Sequence, residues 1–186
     1  MKILLTAFEA FNNDTINPSE EILKSIEDED IIKILLPVSY ERAKLELLNV
    51  IRKEKVDFVL SLGYASTREE ISVENRAFNE LKAGIKDNDG IFKNGEKIDN
   101  NGHDYLYTNI DIKRIINALS KYHLYESNDA GRFICNEVYY LSLKEMKCNA
   151  LFIHIPPLDT MKENGKSISF LTSAIKELIK LLKGEK

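Results

Sequence analysis

Apolar residues recur in this chain with two different spacings. Ile3-Leu4-Leu5, Ile31 to Leu36, Val56 to Leu62 and Asn149 to Ile155 are short, nearly continuous apolar runs. Runs of this length closed by Gly63, Pro37 or Pro156-Pro157 predict strands buried on both faces. Between them the spacing changes to three and four. Ala43, Leu45, Leu47, Leu48 and Ile51 predict a helix over Tyr40–Lys53 with Ser39 as its cap. Asn17-Pro18-Ser19-Glu20 reads as a helix start: Asn17 as N-cap, Pro18 at the first helical position, Glu20 three residues after the cap. That helix is expected to reach about Glu27. Asp111 caps a helix through Ile112, Ile115, Ile116 and Leu119, and Ser167 starts a last one through Phe170, Leu171, Ala174, Ile175, Leu178, Ile179 and Leu182. The first five elements alternate strand and helix, which implies parallel strands joined by helical crossovers. The expected fold class is α/β: one domain over 1–186, a three-layer sandwich with a mostly parallel central sheet and helices on both faces. Sites in such sheets gather beyond the carboxyl ends of the strands.

Three stretches do not fit the simple alternation. Ile71 to Asn79 alternates as a strand; if Ile71 and Val73 point inward, Ser72 and Glu74 point to the other face. From Lys82 to Asn109 the chain is rich in Gly, Asn, Asp and Lys, the composition of a long loop or functional flap, with room for a hairpin at Asp89-Gly90 or Asn94-Gly95. Tyr122 to Ser127 predicts a short strand, followed by a turn at Asp129-Ala130-Gly131 and a helical run from Cys135 to Leu143.

Cys135 therefore stands where a strand hands over to a helix. The field of a helix N-terminus favours thiolate over thiol, and thiolate is the nucleophile. A free cysteine also packs as a small hydrophobe, so a base and an orienting group are needed to separate the two readings. His154 at the end of an apolar strand and Glu74 on an alternating one are the residue types required: a histidine to take and return the thiol proton, a carboxylate to hold its tautomer. Taken singly, His154 also reads as a strand-end histidine and Glu74 as a solvated strand residue.

Totals narrow the function classes. The chain has 186 residues and a net charge of −4, and its pI is near 5.5. No basic stripe suggests nucleic acid, and no apolar run approaches a membrane span. Met1 to Thr6 is expected to run straight into the fold rather than form a signal-peptide core. Two cysteines without a CxxC imply a reduced, cytoplasmic protein, and the three histidines show no zinc spacing.

Several blocks, in order, resemble those of the pyrrolidone-carboxylate peptidases, the type I pyroglutamyl peptidases. Thr6-Ala7-Phe8-Glu9-Ala10-Phe11 is similar to the family's TGFEPFG, Asn17-Pro18-Ser19 to its helix start, and Leu36-Pro37-Val38 to its L-P-V. Ile71 to Asn79 resembles I-x-x-E-R-x-A-x-N. Asp129-Ala130-Gly131 through Cys135-Asn136 resembles S-A-G-x-x-x-C-N, and Phe152 to Pro156 resembles F-I-H-V-P. The resemblance implies a cysteine exopeptidase that removes an N-terminal pyroglutamyl (5-oxoproline) residue from peptides, with Cys135 as nucleophile, His154 as base and Glu74 as third member. It also implies a phosphorylase/hydrolase-like fold, no metal and no organic cofactor, and a homo-oligomer, dimer or tetramer. Phe8, Phe11 and Phe133 match family positions near the slot for the substrate ring. A flat lactam suits an aromatic slot with a few hydrogen bonds; the alternative for each ring is core packing.

The chain departs from the family pattern around those residues. Ala7, Ala10 and Asn12 replace glycine, proline and glycine; Tyr64 replaces a glutamine, Asn75 an arginine, and Gly84 the arginine of A-R-I-P-D-N. Arg68, Arg76, Lys82 and Lys86 are the nearest cations in sequence that could stand in for it. Two alternatives stay open: a degenerate homologue with weak or no activity that acts as a binding protein, and a cysteine amidohydrolase for another lactam or amide on the same plan.

Overall fold

The computed structural model describes residues 1–11 and 14–184; Asn12 and Asn13 of the opening loop, and Glu185 and Lys186, lie outside the described residues. Its centre is a six-stranded sheet in the order β2-β1-β3-β10-β4-β9. The strands are β1 (Ile3–Phe8), β2 (Ile31–Leu36), β3 (Phe58–Tyr64), β4 (Ser72–Glu74), β9 (Tyr125–Ser127) and β10 (Ala150–Ile155). β2, β1, β3 and β10 are parallel, β4 runs antiparallel to β10, and β9 is parallel to β4. The sheet is thus mostly parallel with one reversal, at β10–β4.

Helices cover both faces. On one, α1 (Pro18–Ser25), α3 (Ile112–Ala118) and α5 (Ile168–Lys183) pack Ile22, Ile115, Leu171, Ile175 and Leu178 onto Ile3, Leu5, Leu60, Val73 and Ile153. On the other, α2 (Tyr40–Glu54) and α4 (Ile134–Glu145) pack Ala43, Leu47, Ile51, Val138 and Tyr139 onto Leu4, Val59 and Phe152. The stripe on α2 is narrower than its apolar content suggests. Ala43, Leu47 and Ile51 recur every four residues and are buried, while Leu45 faces away and is 57% exposed. Each fully buried Leu or Ile contributes roughly 1.5–3 kcal/mol, so the buried stripe and not Leu45 holds α2 in place.

The caps are those read from the sequence. Asn17 accepts from Ser19 N–H, Ser39 from Arg42, Asp111 from Arg114 and Ser167 from Phe170. α1 ends at Ser25, short of Glu27, because Ile26 leaves helical geometry with ψ 121°. The strand before Cys135 is also shorter than expected. Ser120–Tyr122 form a 3-10 turn, His123 is left-handed at φ 55°, and pairing begins only at Tyr125.

One stretch folds differently from its sequence reading. Ile71–Asn79 is not one strand: β4 belongs to the main sheet, whereas β5 (Arg76–Phe78) pairs with β8 (Tyr105–Tyr107) in a separate two-stranded sheet. Asn75 is the switch, donating its N–H to Ser127 O and accepting from Thr108 N–H. Alternation is identical on both sides of such a switch, so the pattern does not reveal it. Within the polar 82–109 stretch, a hairpin forms at Asp89-Gly90, the first of the two places the sequence offers for one. β6 (Leu81–Lys82) pairs antiparallel with β7 (Asn94–Glu96), and the chain reverses between them at Asp87–Ile91 with Gly90 at φ +81°. Buried Asp87 accepts from Tyr40, Asp89 and Ile91 N–H, which latches this reversal to the start of α2.

Candidate active site

The reversal at β10–β4 places Glu74 beside His154. Phe152 lies opposite Glu74 and His154 opposite Ser72, so Glu74 and His154 are diagonal neighbours on one face, within reach of long side chains. Glu74 Oε1 is 2.8 Å from His154 Nδ1. The carboxylate is 0% exposed and the histidine 5%. With Nδ1–H donating to the carboxylate, Nε2 is the ring nitrogen left to accept a proton. Ser72 Oγ donates to the same oxygen at 3.2 Å, and Arg68 Nη2 approaches it at 2.9 Å. Burial pushes the Glu74 carboxyl up, but the His154 hydrogen bond and charge, the Ser127 hydroxyl and the Arg68 charge outweigh it. The net result is below the ordinary carboxylate range.

Cys135 comes from α4, in whose first turn it sits. The N-cap Phe133 is extended and supplies no capping side chain, so the first-turn N–H groups of α4 are uncapped by any side chain. Two buried residues fix the helix over the sheet. Asn136 accepts from Phe78 N–H and donates to Phe78 O and Glu80 O at 2.8, 2.8 and 3.1 Å, while Tyr139 Oη donates to Glu74 O at 2.7 Å. The first belongs to the Cys-Asn pair of the sequence block, a signal that marked Cys135 but not its neighbour.

Gly63 decides how close the thiol can come. A Cβ at this position would lie 2.9 Å from Cys135 Sγ and 2.7 Å from Phe152 Cζ. The sequence presents Gly63 as the end of a strand. In the structure it lies within β3, where the absence of a side chain leaves room for the sulfur. Its partner on the neighbouring strand is His154, so thiol, imidazole and carboxylate gather over adjoining positions of β3, β10 and β4.

The thiol differs from its sequence reading. Burial and the nearby Glu74 charge push it up to about 12, and the backbone N–H hydrogen bond at the helix start lowers it by less. The surroundings of the sulfur therefore favour the thiol, against the pull of the helix N-terminus. Attack then requires removal of the proton as it proceeds.

The sulfur opens into a cavity of about 310 Å³, lined by Phe8, Phe11, Phe133, Tyr64, Ile85 and Cys135 among others. Phe8, Phe11 and Phe133 are thus brought together. Phe11 and Phe133 meet at a tilt with 5.3 Å between centroids, and Tyr40 meets Phe133 edge-on at 5.5 Å. Phe8 is 3% exposed and 6.5 Å from Phe152, so it also belongs to the core. This volume is at the small end of the ~300–1,000 Å³ common for small-molecule sites, which suits one small ring. Among the described residues no three His, Cys, Asp or Glu side chains are gathered as a metal site.

The sequence profile of the pyroglutamyl peptidase family matches residues 1–178. The chain belongs to the pyroglutamyl peptidase family. It is 38% identical over 167 residues to the pyrrolidone-carboxylate peptidase of Thermosipho melanesiensis, covering 84% of this chain and 83% of that protein. The Brachyspira hyodysenteriae pyrrolidone-carboxylate peptidase is 40% identical over 167 residues, with the same coverage. Among solved structures, the pyrrolidone carboxyl peptidase of Fervidobacterium islandicum AW-1 superposes with a TM-score of 0.92 at 31% identity, covering 99% of each chain. Against the pyroglutamyl peptidase pattern, the departure at Gly84 lies on the exposed stretch beside the pocket residue Ile85, with open space where a side chain would go. Of the four cations near it in sequence, Arg68 is engaged on Glu74. Arg76 is engaged on Asn128 O and the Phe78 ring, and Lys82 and Lys86 are exposed.

Proposed function

We propose that Cys135, His154 and Glu74 carry the reaction of this cysteine exopeptidase, which removes an N-terminal pyroglutamyl residue from peptides. Phe8, Phe11 and Phe133 form the slot for the lactam ring. The observation that carries the assignment is the diagonal His154–Glu74 hydrogen bond beside a thiol that rests over Gly63 and opens into the aromatic cavity. His154 Nε2 takes the Cys135 proton as sulfur attacks the pyroglutamyl carbonyl. The uncapped N–H groups of α4 meet the developing oxyanion. The C–N bond breaks as His154 returns the proton to the leaving amine, leaving a thioester. Water, losing a proton to His154, then forms a C–O bond as the C–S bond breaks, and pyroglutamate leaves with the thiol restored. Glu74 keeps Nδ1 protonated throughout.

A pyroglutamyl group carries no free amine, so the slot of Phe8, Phe11 and Phe133 needs no carboxylate to hold an N-terminus. Because the mechanism needs a free thiol, we assign the protein to the cytoplasm, a reducing compartment. No helix among the described residues is long and apolar enough to cross a membrane. A homo-oligomer, dimer or tetramer, belongs to the same reading, and light scattering tests it. The function is tested with pyroglutamyl, prolyl and glutaminyl aminomethylcoumarin amides. Release from the first alone is expected; preference for either other amide refutes the substrate assignment.

A further inference from the structure

Arg68 has no part in the scheme above, yet it is held more tightly than a loop arginine needs to be. It lies in the connection between β3 and β4, and its side chain is only 18% exposed. Its Nη2 is 2.9 Å from Glu74 Oε1 and donates to Asp129 O at 2.8 Å. Nη1 donates to Tyr125 Oη at 2.8 Å, and the guanidinium lies 5.8 Å from the centre of the Tyr125 ring. One rigid fork therefore joins the buried carboxylate to the turn that leads through Gly131 into α4 and Cys135. Resting on the reading of Glu74 as the orienting acid, we propose that Arg68 is a positioning residue: it holds Glu74 as a carboxylate during proton transfer and ties it to the turn that carries the nucleophile.

The groups that face Glu74 are few enough to name. His154 comes from β10, Ser72 from its own strand, Ser127 from β9, Cys135 and Tyr139 from α4, and Arg68 from the loop. Only His154 and Arg68 among these bring positive charge. His154 gains and loses a proton in each cycle, so its support for a fully buried carboxylate is intermittent. Arginine does not deprotonate in a protein. Its charge is present when the imidazole is neutral, the moment at which Glu74 would otherwise be buried beside no cation. Without it, Glu74 binds a proton more readily, and the imidazolium is attracted more strongly by an unshared carboxylate. Both changes move the acid limb of kcat/KM to higher pH.

The test is the pH profile of kcat/KM on a pyroglutamyl amide for wild type, Arg68→Gln and Arg68→Lys, with circular dichroism of each. Arg68→Gln keeps a donor and removes the charge; its acid limb is expected to rise by about one pH unit. Arg68→Lys keeps the charge and is expected to return most of the shift, even where the lost fork lowers the plateau. If Arg68→Gln fails to fold, the lysine variant decides: a limb near wild type with a lowered plateau supports the charge role, and an equally raised limb overturns it. A uniform loss in Arg68→Gln at every pH, with the limb unmoved and Glu74→Gln still damaged, overturns the proposal alone. If Glu74→Gln leaves rate and profile at wild type, the reading of Glu74 falls and this proposal with it.

Discussion

Replacing Gly63 by alanine places a methyl carbon 2.9 Å from Cys135 Sγ and 2.7 Å from Phe152 Cζ. Gly63 lies in an extended strand with an ordinary φ, so alanine meets no backbone objection and the whole effect comes from these contacts. Comfortable packing needs about 3.5–4.0 Å between carbon atoms, so both neighbours must retreat by most of an ångström. Phe152 is 0% exposed and packs between Tyr139 and His154, so it has nowhere to go without moving the imidazole. The thiol is the more mobile partner and retreats toward the cavity. Misplacing a reacting atom by ~1 Å costs on the order of 100-fold, and this should appear in kcat with KM little changed. Overpacking a filled core costs about 1–3 kcal/mol. At roughly 2–4 °C per kcal/mol for a domain of this size, Tm should fall by about 2–12 °C. Steady-state rates on pyroglutamyl-aminomethylcoumarin and a thermal melt measure the two effects separately. Wild-type kcat in Gly63→Ala would refute the reasoning, since sulfur could then react without its place over the glycine. Lost kcat with an unchanged Tm would locate the fault in the packing estimate instead.

His154→Ala is expected to abolish most turnover with unchanged circular dichroism, and Glu74→Gln to do less harm, because an orienting group acts through the base. Near-wild-type activity in His154→Ala would make the histidine structural only. Gly84→Arg enters open space. If the oxyanion lacks a cation, turnover should rise at least about tenfold, a fraction of the 10²–10³ that one well-placed donor supplies; a neutral or harmful result would mean that the site needs no such charge. Glu137, 4% exposed with Oε2 unpaired among the described residues, is pushed by burial up to about 8. The folded state holds that proton above the unfolded value, so stability is fully present below the ordinary glutamate range and is lost as pH rises toward 8. Glu137→Gln should therefore melt higher than wild type at pH 8, with the gap closing toward pH 5; a gap independent of pH would contradict this.

The sequence by itself determined much of this protein. Caps and turn residues act within a few positions, so Asn17, Ser39, Asp111 and Ser167 mark helix starts wherever those helices finally dock. Period-two alternation fixed that Glu74 and Ser72 share a face opposite Val73, because strand parity is a local property. The family blocks drew attention to Cys135 and His154 in the same way, residue by residue. Tertiary structure alone decided what those faces meet. β4 inserts antiparallel beside β10, and only that pairing turns residues distant in sequence, Glu74 and His154, into a hydrogen-bonded diagonal. The same applies to Gly63, read as a strand end and found to be the space a sulfur occupies, and to Arg68, whose partners lie on β4 and in the turn before α4. It applies as well to the thiol, where helix position argues for thiolate while desolvation and the Glu74 charge push the other way. Local chemistry is written in neighbouring residues; desolvation and cross-strand pairing depend on what the rest of the chain brings, and no spacing along the sequence encodes them.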